Sequence, residues 1–436
     1  MQRVAAHAPA LTLRRMSLFQ LLSLLITLVA IFGYLNYKFL RLPDTIGIMA
    51  IAMLCSIAAA SAGVFDAEIG RWAHKTISGI DFTELIFHGL LGPLLFAGSL
   101  HVNFSALARE KWAIVLLASL GVVISVAVIG VCFHYGLAAV GIALPMIWCL
   151  VFGALISPTD PLAVLGILRQ ARVPEALQTK ITGESLFNDG IGVLIFVTLL
   201  GLATGTREFD PASITLTLLR EAIGGILFGA LVGYFAFLVL RGIDSYAVEI
   251  MITLALATGG YALAELLHVS APIAVVVTGL VIGNHGRALA MSADTRERLF
   301  AFWQFADDLL NLLLFGLVGL ELVAVAQSEL EFIEAALLAV PIVLLARLVS
   351  VAVPITALGI FRRFERNTIR ILTWGGLRGA ISIALALSLP HGENRDIIVA
   401  ATYFVAVFSI LVQAISLQPL IRRWMGNATG SSGRHE

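Results

Sequence analysis

Two short stretches of this sequence place carboxylates among residues that are otherwise almost all apolar. The first reads Ser157-Pro158-Thr159-Asp160-Pro161, the second Gly183-Glu184-Ser185-Leu186-Phe187-Asn188-Asp189-Gly190. Prolines around Asp160 remove backbone donors and break a helix there, which frees carbonyl oxygens beside a carboxylate. In the second stretch Glu184 and Asn188 are four apart, and so are Ser185 and Asp189. Residues at that spacing stack along one stripe of a helix, and the two adjacent stripes form one polar face about 100° wide. Asp160, Asp189, the hydroxyls of Thr159 and Ser185 and the freed carbonyls are hard oxygen donors. No thiolate or imidazole cluster accompanies them, so the chemistry suits a small hard cation and not a transition metal. A carboxylate held away from water is poor as a bare anion and takes either a proton or a cation. Asp189 can hold one or the other but hardly both, and exchange follows if access changes only when the site is occupied.

Two guanidiniums stand in similar surroundings. Arg347 lies inside one apolar run and Arg378 inside another, in Trp374-Gly375-Gly376-Leu377-Arg378-Gly379-Ala380. Each is read as neutralising a buried carboxylate or the negative ends of half-helices, with a direct part in transport as the alternative. A kinked helix with a solvated Asp160, or a structural Asp189 bonded to a neighbour, is the plainer reading of each carboxylate. The depth of both residues within their runs speaks against it.

The elements that must position these groups are membrane helices. Of the 436 residues 59% are apolar and 13% charged, and the mean hydropathy is +0.97. Soluble domains carry about a quarter charged residues. The apolar runs are roughly 20 residues long, enough to span a hydrocarbon core as a helix, and strand-like alternation is absent, which excludes a barrel. Thirteen spans are expected, over residues 17–36, 45–65, 82–100, 113–135, 142–168, 182–204, 221–240, 247–266, 270–286, 301–323, 331–357, 369–389 and 396–420. The linker 66–81 reads as amphipathic. Asp189, nine residues beyond Lys180, falls about 13 Å along the sixth span at 1.5 Å per residue, near mid-bilayer. Spans five and twelve both carry Gly/Pro interruptions at mid-depth, the trace of inverted repeats whose broken helices cross. The fold class is thus an all-α polytopic membrane protein.

Loops on one side carry eighteen lysines and arginines, among them Lys38, Arg109, Lys180, Arg362, Arg363 and Arg422; the opposite loops carry four, Arg71, Lys75, Arg207 and Arg395. The positive-inside rule puts the C-terminus in the cytoplasm and, with an odd number of spans, the N-terminus outside. Arg3, Arg14 and Arg15 pull the other way; either the later loops outvote them or translation starts at Met16. The first run, Leu18 to Leu35, is too long for a signal peptide and reads as a retained span. Short tails, 1–16 and 421–436, flank a transport domain over 17–420 in a cell membrane.

Other classes fit poorly. Net charge is zero with no basic tail, so nucleic acid is not a partner. Cys55, Cys132 and Cys149 lie in apolar runs without ligand spacing and read as buried thiols. A channel needs a continuous polar path, whereas polar residues gather at one depth here. No nucleophile shares a span with a base, so an enzyme is not expected. His88, the histidine deepest in a span, reads as a packed histidine before a pH sensor, and Glu265 as solvated near the surface.

These motifs resemble a known family. Thr159-Asp160-Pro161, the run from Gly183 to Asp189 and Gly375-Gly376-Leu377-Arg378-Gly379-Ala380 are similar to those of the first monovalent cation:proton antiporter family, the NhaP- and NHE-type sodium/proton exchangers. Ala264-Glu265, Ser270, Phe302-Trp303, Asn311 and Gly319 fit it too. The resemblance implies a thirteen-helix bundle with a dimerisation domain and a mobile core, a homodimer in lipid, and sodium and protons as the transported ions with no cofactor. Potassium or lithium is the alternative cation. It implies sodium at Asp189 and Asp160, with Asn188 preceding the carrier aspartate, and a helix-bridging pair between Glu184 and Arg347. Asn188 cannot ionise, so a single exchanging carboxylate implies electroneutral one-for-one exchange. One departure is Leu94-Leu95-Phe96-Ala97, where the family often has an acid at the last position.

Overall fold

The computed structural model describes residues 18–65, 89–171, 173–286, 291–325, 330–365 and 367–425. The linker 66–81 with Arg71 and Lys75, His88, and the tails 1–16 and 426–436 lie outside the described residues. Among the described residues no strand occurs, and the helices are α1 (Leu18–Leu35), α2 (Asp44–Phe65), α3 (Leu91–Leu100), α4 (Phe104–Leu116), α5 (Val122–Ala139), α6 (Met146–Ile156), α7 (Leu162–Gln170), α8 (Glu175–Ala203), α9 (Pro211–Leu240), α10 (Tyr246–Leu266), α11 (Ala271–Val281), α12 (Ala293–Val325), α13 (Leu330–Gly359), α14 (Thr368–Trp374), α15 (Ala380–Leu387), α16 (Glu393–Phe408) and α17 (Ile415–Met425). A π-helical turn, Leu117–Gly121, joins α4 to α5, and another, Ser409–Ala414, joins α16 to α17. Eight helical stretches are long and apolar enough to cross a membrane, with shorter apolar helices among them.

Local chemistry sets the ends. Asn103 caps α4 by accepting from the amides of Ser105 and Ala106 at 2.9 and 3.2 Å, and Asp210 caps α9 ahead of Pro211, whose missing N–H is no loss at the first turn. The sixth span starts earlier than the sequence suggests: α8 begins at Glu175, so Lys180 belongs to the helix and is buried, not a loop charge. Cys149 is buried as expected, but Cys55 is exposed on α2 and Cys132 is half-buried. Glu265 is exposed.

The helices sort into two groups. In one, α2 lies along α12, α9 along α11, and α11 also against α3 and α10. Its centre is aromatic, with Phe96 and Trp303 at 4.7 Å between ring centroids and the Trp303 indole N–H donating to Thr253 Oγ1 at 2.9 Å. In the other group α6 packs on α5 and α8, α4 on α8, and α13 on α5 and α16, with Phe133 stacked near Phe152 at 4.6 Å. Outward faces stay apolar: Leu227, Leu231 and Phe235 of α9 are all exposed, which suits contact with hydrocarbon and not with water.

Candidate functional site

The site is built from two breaks that meet. After α6 the chain leaves helical conformation through Ser157–Pro161 and resumes as α7; between α14 and α15 it does so through Gly375–Gly379. The backbone amide of Asp160 donates to the carbonyl of Leu377 at 2.8 Å, tying one break to the other. Gly379 permits this closeness, because a Cβ there would lie 2.6 Å from Asp160 Cβ and 2.7 Å from its Oδ2. Carbonyls freed at the first break find a donor in Arg378, whose Nη1 reaches the carbonyl of Ser157 and, at 3.0 Å, that of Pro158. Arg378 is itself held through its amide, which donates to Ser409 Oγ at 2.9 Å; Ser409 donates to Gln413 Oε1 at 2.7 Å. A buried guanidinium on the negative end of a half-helix is favourable, and this is the contact made by Arg378.

The polar face of α8 lies against the first break. Ser185 Oγ donates to the carbonyl of Thr159. Asn188 Nδ2 donates to Thr159 Oγ1 at 2.9 Å, and its Oδ1 accepts from the Thr159 amide at 3.4 Å. Ser185 and Asn188 therefore both hold Thr159 and fix the peptide beside Asp160. Asp189 differs: only 8% exposed, it forms no hydrogen bond to protein among the described residues and lines a cavity. Asp160 stands within electrostatic reach of it.

Glu184, on the same helix, faces away from the cavity. Its carboxylate takes both Nη1 and Nη2 of Arg347, the latter at 3.0 Å, while Arg347 also donates from Nε and Nη2 to the carbonyl of Leu372 at 3.3 and 3.0 Å. The pair thus joins α8, α13 and α14. Nearer the start of α8, Lys180 Nζ lies 3.0 Å from Glu365 and 3.3 Å from Glu110, and Arg362 completes the cluster at 2.9 Å from Glu110. Burial alone would raise the Glu365 carboxyl, but the hydrogen bond from Lys180, its own amide, the Lys180 charge and Thr368 together hold it below the ordinary glutamate value. Nothing in the sequence pairs Lys180 with these acids.

The cavity has a volume of about 530 Å³ and lies between the two helix groups. Asp160, Asp189 and Ser185 line one wall; Leu94, Leu95 and Gly98 of α3 and Gln304, Asp307 and Asn311 of α12 line the other. Its lining runs out to the exposed residues Gly166, Arg169 and Glu175. Ala97, at the position of the departure noted above, is fully buried in the α3 packing and outside the lining. Sequence reasoning missed Asp307 and Gln304. The signal was present, since Gln304, Asp307 and Asn311 fall at i, i+3 and i+7 on one stripe of an expected span. Among the described residues no three His, Cys, Asp or Glu side chains converge to hold a resident metal.

Known proteins resemble this chain along most of its length. Residues 24–423 match the family described as sodium/hydrogen exchanger, transmembrane. The Na(+)/H(+) antiporter NhaP of Pseudomonas aeruginosa is 48% identical over 412 residues, covering 92% of this chain and 96% of that protein. The Na(+)/H(+) antiporter NhaH of Halobacillus dabanensis is 33% identical over 401 residues, covering 88% and 93%. The fold is that of the sodium proton antiporter MjNhaP1 from Methanocaldococcus jannaschii, determined at pH 8, with a TM-score of 0.73 at 20% identity over 94% of this chain and 100% of that one.

Proposed function

This chain belongs to the sodium/hydrogen exchanger family, a family of transporters and not of enzymes, and we propose that it carries sodium and protons in turn at Asp189. It is a multi-pass membrane protein and a sodium/proton antiporter. The observation that carries the site reading is Asp189 itself: a carboxylate buried on α8, without a hydrogen-bond partner among the described residues, at the wall of a cavity that reaches the surface. Burying an ionised carboxylate alone is costly, so in each half-cycle Asp189 leaves the cavity side either protonated or with a cation bound.

Each neighbour has a distinct part in this reading. Asp160 supplies the second carboxylate of the sodium site, and the bonds of Ser185 and Asn188 to Thr159 hold its peptide against α8. Thr159 offers its carbonyl or hydroxyl oxygen, with Ser185 and Asn188 fixing how that peptide is turned. Arg378 neutralises the carbonyl ends of the broken helix without competing for the cation, and the Glu184–Arg347 pair keeps α8 in step with α13. Since Asn188 cannot ionise, one cation or one proton crosses per half-cycle and the exchange is electroneutral.

The group formed by α4–α8 and α13–α17 is the mobile core in this account, and the group with α1–α3 and α9–α12 is the dimerisation domain of a homodimer in lipid. A cavity between the groups is where such motion would open and close a path. Arg169, in the last turn of α7, lies at its mouth on the lysine- and arginine-rich side, so the positive-inside rule turns the mouth and the C-terminus to the cytoplasm and the N-terminus outward.

The test is proton flux in proteoliposomes, followed with a pH-sensitive dye as sodium, lithium and potassium gradients are imposed in turn. Sodium should drive saturable flux, and Asp189→Asn should abolish it in a protein that elutes as a folded particle. Sodium-driven flux retained by that variant would overturn the site, and flux driven by potassium in preference to sodium would overturn the cation.

A further inference from the structure

The α12 wall of the cavity carries a carboxylate to which nothing so far gives a role. Asp307 lies fourteen residues into α12 and is only 7% exposed. Asn311, one turn on, uses its amide to hold it, donating to the Asp307 carbonyl at 2.8 Å and to Oδ1 at 3.1 Å. Its Oδ2 has no protein hydrogen-bond partner among the described residues, and the residue lines the cavity. One turn earlier Gln304 turns its amide nitrogen to Asp308 Oδ1 at 3.3 Å, which leaves its oxygen free to accept.

A purely structural buried aspartate would be satisfied by its neighbours. Asp307 is oriented by one and left open on the cavity side, and its oxygen and the amide oxygen of the exposed Gln304 are of the kind a hard cation takes. It also stands on the helix group opposite Asp189, packed through α2 and not through α8. Among the described residues the acids do not close into one cluster around a shared ion.

We propose that Asp307, with the side-chain oxygen of Gln304, is a second alkali-cation subsite on the stationary wall, where a partly hydrated ion is held before it passes to Asp189. This rests on the reading of Asp189 as the exchanging site. Asp307 is not carried with α8; it sets how readily the cavity fills. Removing its one charge from the path of the cation should therefore raise the sodium concentration for half-maximal flux about tenfold, equivalent to roughly 1.4 kcal/mol, with less change in maximal rate.

Two measurements separate this subsite from the site on α8. In proteoliposomes Asp307→Asn should raise half-saturating sodium about tenfold while the maximal rate falls less than threefold, Asp307→Glu should restore most of the affinity, and Gln304→Leu should give a smaller rise in the same direction. In purified protein, binding of radioactive sodium should persist weakly in Asp189→Asn and vanish in Asp189→Asn combined with Asp307→Asn. Unchanged half-saturating sodium in both Asp307→Asn and Gln304→Leu overturns the subsite, as does loss of all flux in Asp307→Asn with its sodium affinity unaltered. Exchange surviving in Asp189→Asn would instead overturn the carrier site and leave the affinity comparison to judge Asp307 alone.

Discussion

The pair of Glu184 with Arg347 offers the sharpest energetic prediction. Glu184 is 2% exposed and Arg347 6%, and the two charges meet through both guanidinium η-nitrogens. Replacing Glu184 by Gln leaves a buried guanidinium without a counter-charge, facing only neutral oxygens such as the Leu372 carbonyl. Replacing Arg347 by Met leaves a buried carboxylate with no donor. Removing one partner of such a pair costs about 3–5 kcal/mol, whereas removing both charges together is close to neutral. The Leu372 carbonyl, unpaired whenever Arg347 is replaced, adds about 1 kcal/mol. The double variant should thus lose no more than the worse single one, with a coupling of about 3 kcal/mol or above. Cys149 provides the readout: it is fully buried, so with Cys55 and Cys132 changed to Ser a thiol-reactive dye reports thermal unfolding of the core alone. Losses that simply add would refute the pairing argument, since each side chain would then be acting without the other.

Three further outcomes follow from the geometry. Gly379→Ala puts a methyl 2.6 Å from Asp160 Cβ; overpacking of this kind costs about 1–3 kcal/mol, and half-saturating sodium in vesicles should rise more than thermal stability falls. The Glu365 carboxyl is lower in the folded protein than when unfolded, so its contribution is whole at neutral pH and is lost as pH falls through its folded value, below the ordinary glutamate range; Glu365→Gln should lower neutral stability and flatten the acid limb of a melting-temperature curve. With the membrane potential clamped by potassium and valinomycin, the sodium gradient at which net proton flux vanishes should not move with voltage, and a shift would mean that a second group carries charge.

Much of the site is legible in the sequence because charge inside an apolar run is expensive and so informative. Asp160, Glu184, Asp189, Arg347 and Arg378 stand out on that ground, and all are brought to the two breaks or to the flank of α8. Pairing between distant runs is less legible. The partnership of Arg378 with the Ser157 and Pro158 carbonyls depends on two breaks crossing, which spacing along one helix does not encode. Lys180 reads as a loop charge because a lysine near an apolar boundary ordinarily ends a span; its burial needs Glu110 and Glu365 from two other segments. Asp307 and Asp308 are neighbours in sequence yet about 100° apart around a helix. Only the packing of α12 on α2 and α3 decides that Asp307 turns to the cavity while Asp308 stays exposed.

The claim that one carboxylate serves both ions is tested most directly by counting protons released as sodium binds. Purified protein in weakly buffered detergent, at a pH where Asp189 is protonated, should release one proton for each sodium bound there, a release that Asp189→Asn abolishes and Asp307→Asn leaves at the same ratio with weaker binding. Sodium binding to Asp189 without release of a proton, or an undiminished release in Asp189→Asn, would contradict the account.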